Sequence, residues 1–373
     1  MENRWRLAEC LSILFKPRCR AFGAKLDLRK NQTIQASKQF DQKTQTFVNR
    51  RREIVKEMSS LGNTFRIIKE VTFNRQKERI PKRPLPQMRP NLEEFLSPSK
   101  TLKYIWLGHS SFLMRIEGQT FLFDPVFHSA APVDFMVKRF QPPVIALENM
   151  PEIDFIVLSH DHYDHLDDRT MLHFKESKAK FITPLAVGEH LRSWGIHADR
   201  IIELDWWQKY QQGPISFVCT PAQHFSGRRI FSRNKSLWCS WVILSTQHRV
   251  FFSGDSGYDI HFKEIGQTYG PFHLTFMENG QYNKLWQPVH MLPEESAQAH
   301  MDLRGEYLMP IHWGMFELST HSWREPAQRI ARSAKNLGLQ LITPQIGELV
   351  DLKNPPQNHE WWITDQESLS DPT

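Results

Sequence analysis

The chain has 373 residues, of which 40% are hydrophobic and 24% charged, proportions that exclude a largely disordered protein and allow a large buried core. Its four cysteines, Cys10, Cys19, Cys219 and Cys239, form no CxxC pair, which argues against a disulfide framework or a thiolate zinc site and fits a reducing, cytoplasmic setting. The net charge is +6, yet residues 1–90 hold 22 Lys and Arg against 8 Asp and Glu, so a basic segment precedes an acidic remainder.

At the start, the longest apolar run, Cys10 to Phe15, is far shorter than a bilayer span and is followed by Lys16, Arg18 and Arg20. Neither a membrane span nor export is expected. Residues 1–80 read as a basic extension, partly helical over 34–60, in the manner of a solvated helix or tail. Its charge also suits peripheral contact of residues 1–90 with an anionic membrane, whereas nucleic acid is not an expected partner. Ile80 to Pro98 contains five prolines and cannot continue a helix, which makes residues 81–100 a linker or wrapping arm.

From Thr101 the pattern changes to short β-rich runs. Strands are expected at 102–108, 111–118, 120–127, 153–159, 179–184, 200–204, 215–221, 240–246, 249–255, 273–278, 306–312 and 339–344. Helical segments fall at 166–177, 185–195, 294–304 and 325–338. Hairpin-like strands followed by alternating strands and helices imply an α/β protein of stacked sheets with helices outside, over residues 101–352, ahead of a C-terminal tail at 353–373. No internal repeat is visible. Trp206, Trp207, Trp286 and Trp313 are expected in the core rather than along a pocket.

The stretch "SHDHYDHLD", Ser159 to Asp167, follows the apolar run "IDFIVL" and so sits where a buried strand gives way to loop. Residues two apart share a face of extended chain, which lets His160, His162 and Asp164 point together, with His165 joining if the chain turns. Two imidazoles and a carboxylate on one side suit zinc, with manganese or iron as alternatives, whereas calcium would require oxygen ligands. The competing reading is a polar loop whose histidines cap a helix at Leu166. Three later strand ends supply partners: His224 in "FVCTPAQHFSGR", Asp255 in "VFFSGDSGY" and His312 in "YLMPIHWG". These seven ligands make two sites that share Asp255.

This order, HxHxDH, His, GDSG and His, resembles the metallo-β-lactamase superfamily. "WLGHSSFL", "DPVF", "KRFQPP", "PAQH", "GDSGY", "HMLPEES" and "IHWGMFEL" are similar to the N-acylphosphatidylethanolamine phospholipase D branch and its bacterial, lactonase-like relatives, over roughly residues 101–344. The resemblance implies a four-layer αββα sandwich with an N-terminal extension. It also implies two zinc ions, the first on His160, His162 and His224, the second on Asp164, His165 and His312, with Asp255 bridging. His290 then falls on the substrate side as a general acid or phosphate contact; its other reading is a helix-start residue. The chain departs from the branch at "YNKLWQPVHM", where an arginine that could meet phosphate is missing. Glu278 and Tyr282 in "FMENGQYN" are further candidates near the cleft.

His109 and Asp124 are expected behind the ligands, orienting imidazoles through their second N–H. Paired cations acidify a bridging water, so a binuclear hydrolase is expected, with hydroxide as nucleophile and Asp164 both ligating and accepting a proton. A phosphodiesterase acting on N-acylphosphatidylethanolamine-like lipids leads. A lactonase or other carboxylic-ester hydrolase on the same metals is the alternative. A membrane- or nucleic-acid-associated binding protein with structural metals is the reading from another class, and an oligomer is compatible with all three. No Ser lies in a GxSxG elbow, so serine hydrolysis finds no support.

Overall fold

Side-chain alternation explains the architecture of the computed structural model, which describes residues 20–53, 61–74, 76–229, 232–356 and 358–363. Strands β1 (Phe40–Asp41) and β2 (Thr46–Phe47) form a small hairpin ahead of two seven-stranded sheets. The first sheet runs β16 (Leu349–Asp351), β3 (Lys103–Gly108), β4 (Ser111–Ile116), β5 (Gln119–Phe123), β6 (Phe155–Val157), β7 (Lys180–Pro184), β8 (Ile201–Leu204). The second runs β15 (Gln340–Leu341), β14 (Gly305–Ile311), β13 (Phe272–Glu278), β12 (Arg249–Phe252), β11 (Ser240–Leu244), β10 (Ile215–Thr220), β9 (Lys209–Gln212).

Each sheet is antiparallel over one half and parallel over the other. Tyr104, Trp106, Phe112, Met114, Phe121 and Phe123 of the first sheet meet Phe217, Trp241, Phe252, Phe276 and Ile311 of the second in one core. Phe112 stacks on Phe276 at 3.9 Å between ring centroids and on Phe123 at 4.3 Å, contacts that add about 0.5–1.5 kcal/mol each beyond burial.

The intervening residues turn the other way. Ile105, Leu107, Leu113 and Leu122 pack under α4 (Asp168–His173) and α5 (Gly188–Ser193) through Met171 and Leu191. Val218, Val242, Phe251 and Leu308 pack under α6 (His261–Tyr269), α7 (Pro293–Asp302) and α8 (Glu325–Leu337) through Phe262, Ala297 and Ile330. Both faces of each sheet are therefore buried, which is why the strands read as continuous apolar runs. The result is the layered αββα sandwich.

The extension differs from a solvated helix or tail. Within 34–60 the described helix is confined to the end of α1 (Gln32–Ala36) and to residues 52–53, with the β1–β2 hairpin between them and residues 54–60 outside the described residues; α2 (Leu61–Phe73) follows. Leu28, Ile34, Phe40 and Phe47 join the inter-sheet core, because apolar side chains spaced among lysines and glutamines still gain by burial. The Pro-rich segment carries α3 (Leu92–Leu96) and pairs Gln87 with Ile346. At the other end, Trp362 is buried against Trp313 and belongs to the core, so the described part of the segment after residue 352 is not a free tail. Residues 1–19 and 364–373 lie outside the described residues.

Candidate metal centre

The strand ends that converge on one edge of the sandwich belong to β3, β5, β6, β10, β12, β13 and β14. Their following residues include His109, Asp124, the 159–167 loop, His224, Asp255 and His312, the position at which layered α/β folds usually build sites. Three of these residues hold left-handed backbone: His109 (φ 51°), Asp124 (φ 32°) and His312 (φ 68°). Such conformations are costly for residues with a Cβ and cluster where geometry is functionally constrained. Gly254 (φ 55°) opens the Asp255 turn, where a Cβ would stand 2.7 Å from the Ser159 Cβ and 2.8 Å from the Cys239 carbonyl oxygen. Only glycine allows that turn to close on the 159–167 loop.

The seven sequence-selected side chains come together. His160 Nε2 lies 2.9 Å from His162 Nδ1, which lies 3.2 Å from His224 Nε2. Asp255 Oδ2 is 3.1 Å from His165 Nε2, 3.7 Å from His224 Nε2 and 3.8 Å from His160 Nε2, and its Oδ1 is 3.1 Å from His312 Nδ1. Asp164 Oδ2 is 3.4 Å from His165 Nε2. His160, His162, His224 and Asp255 form one group able to hold a metal ion, and Asp164, His165, His312 and His109 another. Two ligands about 2.1 Å from a tetrahedral cation stand about 3.4 Å apart, so donor separations that run from 2.9 to 3.8 Å fit ligands around an ion.

The electrostatics agree. Burial pushes Asp255 up to about 7, against the pull of His165 and with repulsion from Glu278; a carboxylate so placed needs a cation to stay ionised. Burial holds His160, His224 and His312 well below the usual histidine range and His162 down to about 4, leaving neutral imidazoles ready to ligate. Burial also opposes protonation of His165, but Asp255 and Asp164 outweigh it and hold that imidazole well above its ordinary range. The His165 Nε2 and Asp255 Oδ1 atoms are buried without a well-formed hydrogen bond, an unmet demand that a divalent metal satisfies.

The remaining candidates divide. Asp124 lies behind two of the imidazoles: it accepts from His165 Nδ1 at 2.7 Å, from the Ser159 N–H at 2.8 Å and from the Ser159 hydroxyl, which itself lies 2.9 Å from His160 Nδ1. His109 orients a carboxylate rather than an imidazole, with Nε2 3.1 Å from Asp164 Oδ2. Ser110, whose hydroxyl lies 3.1 Å from His312 Nδ1, does the work on that imidazole. Glu278 is fully buried, accepts from the Ser256 N–H and meets His290 Nδ1.

Tyr282 is a correction. It is buried away from the cluster, its hydroxyl donating to Glu325 at 2.8 Å beneath a separate cavity of about 360 Å³. The aromatic phenol finds a partner there because a buried O–H without one is costly. The acids of "SHDHYDHLD" also divide. Asp161 accepts from the Gly227 N–H and the Ser236 hydroxyl. Asp167, not a histidine, caps α4 through the Arg169 N–H at 3.1 Å.

A cavity of about 480 Å³ opens over the cluster, walled by Ile67, Val71, Phe225, Trp286, Val289 and Leu318. Trp206 and Trp313 are core residues, whereas Trp286 lines this cleft and Trp207 is exposed, both contrary to expectation. One brace was not read from the sequence: Asn49 of the extension donates to the His224 carbonyl at 2.7 Å and accepts from the His224 N–H at 3.1 Å.

Residues 119–313 match the family of the β-lactamase superfamily domain. The chain belongs to the metallo-β-lactamase superfamily. It is 42% identical over 288 residues to an uncharacterized protein of Mycobacterium tuberculosis, covering 76% of this chain and 77% of that one. It is 32% identical over 263 residues to N-acyl-phosphatidylethanolamine-hydrolyzing phospholipase D 1 of Caenorhabditis elegans, covering 65% and 74%. Among solved structures, a metallo hydrolase of Ignicoccus hospitalis superposes with TM-score 0.51 at 20% identity, over 67% of this chain and 97% of that one, a likeness of fold. This superfamily member of the phospholipase D-like branch is a metal-dependent hydrolase. Among the described residues no helix is long and apolar enough to cross a membrane.

Proposed function

We propose that the chain is a binuclear phosphodiesterase of phospholipase D type, acting on N-acylphosphatidylethanolamine-like phospholipids. The observation that carries this reading is the cleft itself: two metal-competent groups, one containing Asp255 and the other lying against it through His165 and His312, open into a cavity with apolar walls. The similarity to the worm phospholipase supports it. His160, His162 and His224 would hold one cation and Asp164, His165 and His312 the other, zinc being the ion that best suits this donor set. Two bound cations supply an acidified water and charge stabilisation at the phosphoryl oxygens.

The chain's own groups manage the protons. Asp164 Oδ2, fixed by His109, receives the proton of the attacking water. His290 is held by Glu278 at Nδ1, which leaves Nε2 to deliver a proton to the departing alkoxide. Burial pushes Glu278 well above the usual carboxylate range, so the pair keeps a proton available beside the cluster. Ile67, Val71 and Trp286 exclude water and accept hydrocarbon.

The test is incubation of zinc-loaded protein with N-acylphosphatidylethanolamine in mixed micelles, followed by mass spectrometry. Release of phosphatidic acid and N-acylethanolamine, absent with Asp255→Asn, is expected. Cleavage of a lactone or simple ester alone would replace this reading with the carboxylic-ester one.

A further inference from the structure

The cavity over the cluster has one positive side chain. Among the described residues that line it, Arg233 is the sole lysine or arginine. It makes no hydrogen bond or ion pair to any described residue. Its guanidinium carbon lies 5.0 Å from the centre of the Phe225 ring, and that ring lies 4.7 Å from both His162 and His224. A single aromatic ring therefore separates this cation from two candidate ligands.

The loop is constructed to keep it there. Gly227 (φ 143°) lies so close to the loop that a Cβ would stand 3.2 Å from the Arg233 Cα. Next to Arg233, Asn234 donates its N–H to the Ser226 carbonyl at 2.9 Å and accepts from the Phe47 N–H of β2 at 2.7 Å. The extension thus pins the segment that carries the arginine. A guanidinium stacked on a ring keeps its planar fork of donors available, and that fork matches two oxygens of one anion. The arginines that follow Asn49 face acids instead, Arg50 pairing with Glu264 and Arg51 lying 3.7 Å from Asp259.

We propose that Arg233 is a specificity-determining residue that binds the two non-bridging oxygens of a phosphodiester monoanion in the metal cleft. This rests on the phosphodiesterase reading and deepens it. The substrate class it selects carries one negative charge at the metals and hydrocarbon along Ile67, Val71, Trp286 and Leu318. A neutral ester would leave the guanidinium without a partner.

The experiment is calorimetric titration of zinc-loaded protein with dibutyl phosphate, an anionic diester, and with tributyl phosphate, its neutral counterpart. Arg233→Ala weakens dibutyl phosphate binding by about tenfold to a hundredfold, the range of a charge-assisted contact, and Arg233→Lys weakens it less. Neither substitution changes tributyl phosphate binding, zinc content or thermal midpoint, since among the described residues the side chain meets only the Phe225 ring. Raising salt weakens the wild-type interaction more than that of Arg233→Ala.

Equal dibutyl phosphate affinity in wild type and Arg233→Ala, or no binding by wild type, overturns the proposal. If that occurs while wild type still cleaves the phospholipid, the phosphodiesterase reading stands without it. If binding depends on Arg233 but no phosphodiester is cleaved, the arginine retains its role as anion reader and the reaction assignment falls.

Discussion

The two sides of the ligand cluster are held by different parts of the chain. His160, Asp164, His165 and His312 are braced from within the sandwich, by Asp124 at the end of β5 and by His109 and Ser110 in the β3–β4 turn. His224 is braced from outside it. Asn49 clamps its backbone, and its Nδ1 meets the Val289 carbonyl at 3.0 Å. Asn49 is itself anchored by the Trp238 indole N–H at 3.2 Å. One side is thus completed when the sheets close, and the other only when the N-terminal segment docks. A basic segment that looks dispensable by composition is part of the site.

Substitutions can break or sharpen this contrast. The largest effect is expected from Asp255→Asn, which removes the group common to both sides: turnover falls by at least about a thousandfold, the scale of losing several kcal/mol of metal-centred stabilisation. Steady-state kinetics with metal analysis checks it. Next is Asp124→Asn, which unseats His165 and, through Ser159, His160; metal affinity falls about 10- to 100-fold, as for other groups that orient ligands. Competition with a chromogenic chelator measures it.

Asn49→Ala should act on one side alone. It leaves the buried His224 N–H without its partner, a cost of about 1–3 kcal/mol, so the ion on the His224 side is retained about tenfold or more less tightly while the other is kept. Cobalt substitution followed by absorption spectroscopy separates the two. The smallest effect belongs to Arg50→Ala, which breaks only the partly exposed pair with Glu264. Loss of less than about 1 kcal/mol in a denaturant melt is expected, with metal retention unchanged. Equal metal loss in Arg50→Ala and Asn49→Ala would reduce the clamp to simple docking of the extension.

The ligand residues were legible because the chemistry demands crowding. Three histidines and two acids within six residues at a strand end serve packing poorly, and single His or Asp residues past later strands complete the count. The layers were legible for a related reason, since double-sided burial makes every inner strand an apolar run. What stayed hidden depends on distant contacts. Asn49 is one asparagine in a polar segment, and its meaning arises only when its amide meets His224. Arg233 carries no motif, and its distinction is its place over the Phe225 ring, with no ion pair among the described residues. Tyr282, four residues from Glu278, looked equally well placed, but the chain past β13 turns it toward Glu325. The helix at His261–Tyr269 was missed because Gly266 interrupts its periodic pattern, a residue tolerated within helices at a cost of about 1 kcal/mol.

The central claim is a shared two-ion centre whose His224 side depends on the N-terminal segment. Metal analysis of the dialysed zinc-loaded protein and of Asn49→Ala tests it most directly. The account predicts two zinc ions per chain in the wild type and one in the variant, with Asp255→Asn unable to hold the pair. A single ion in the wild type, or two retained equally in Asn49→Ala, would contradict it.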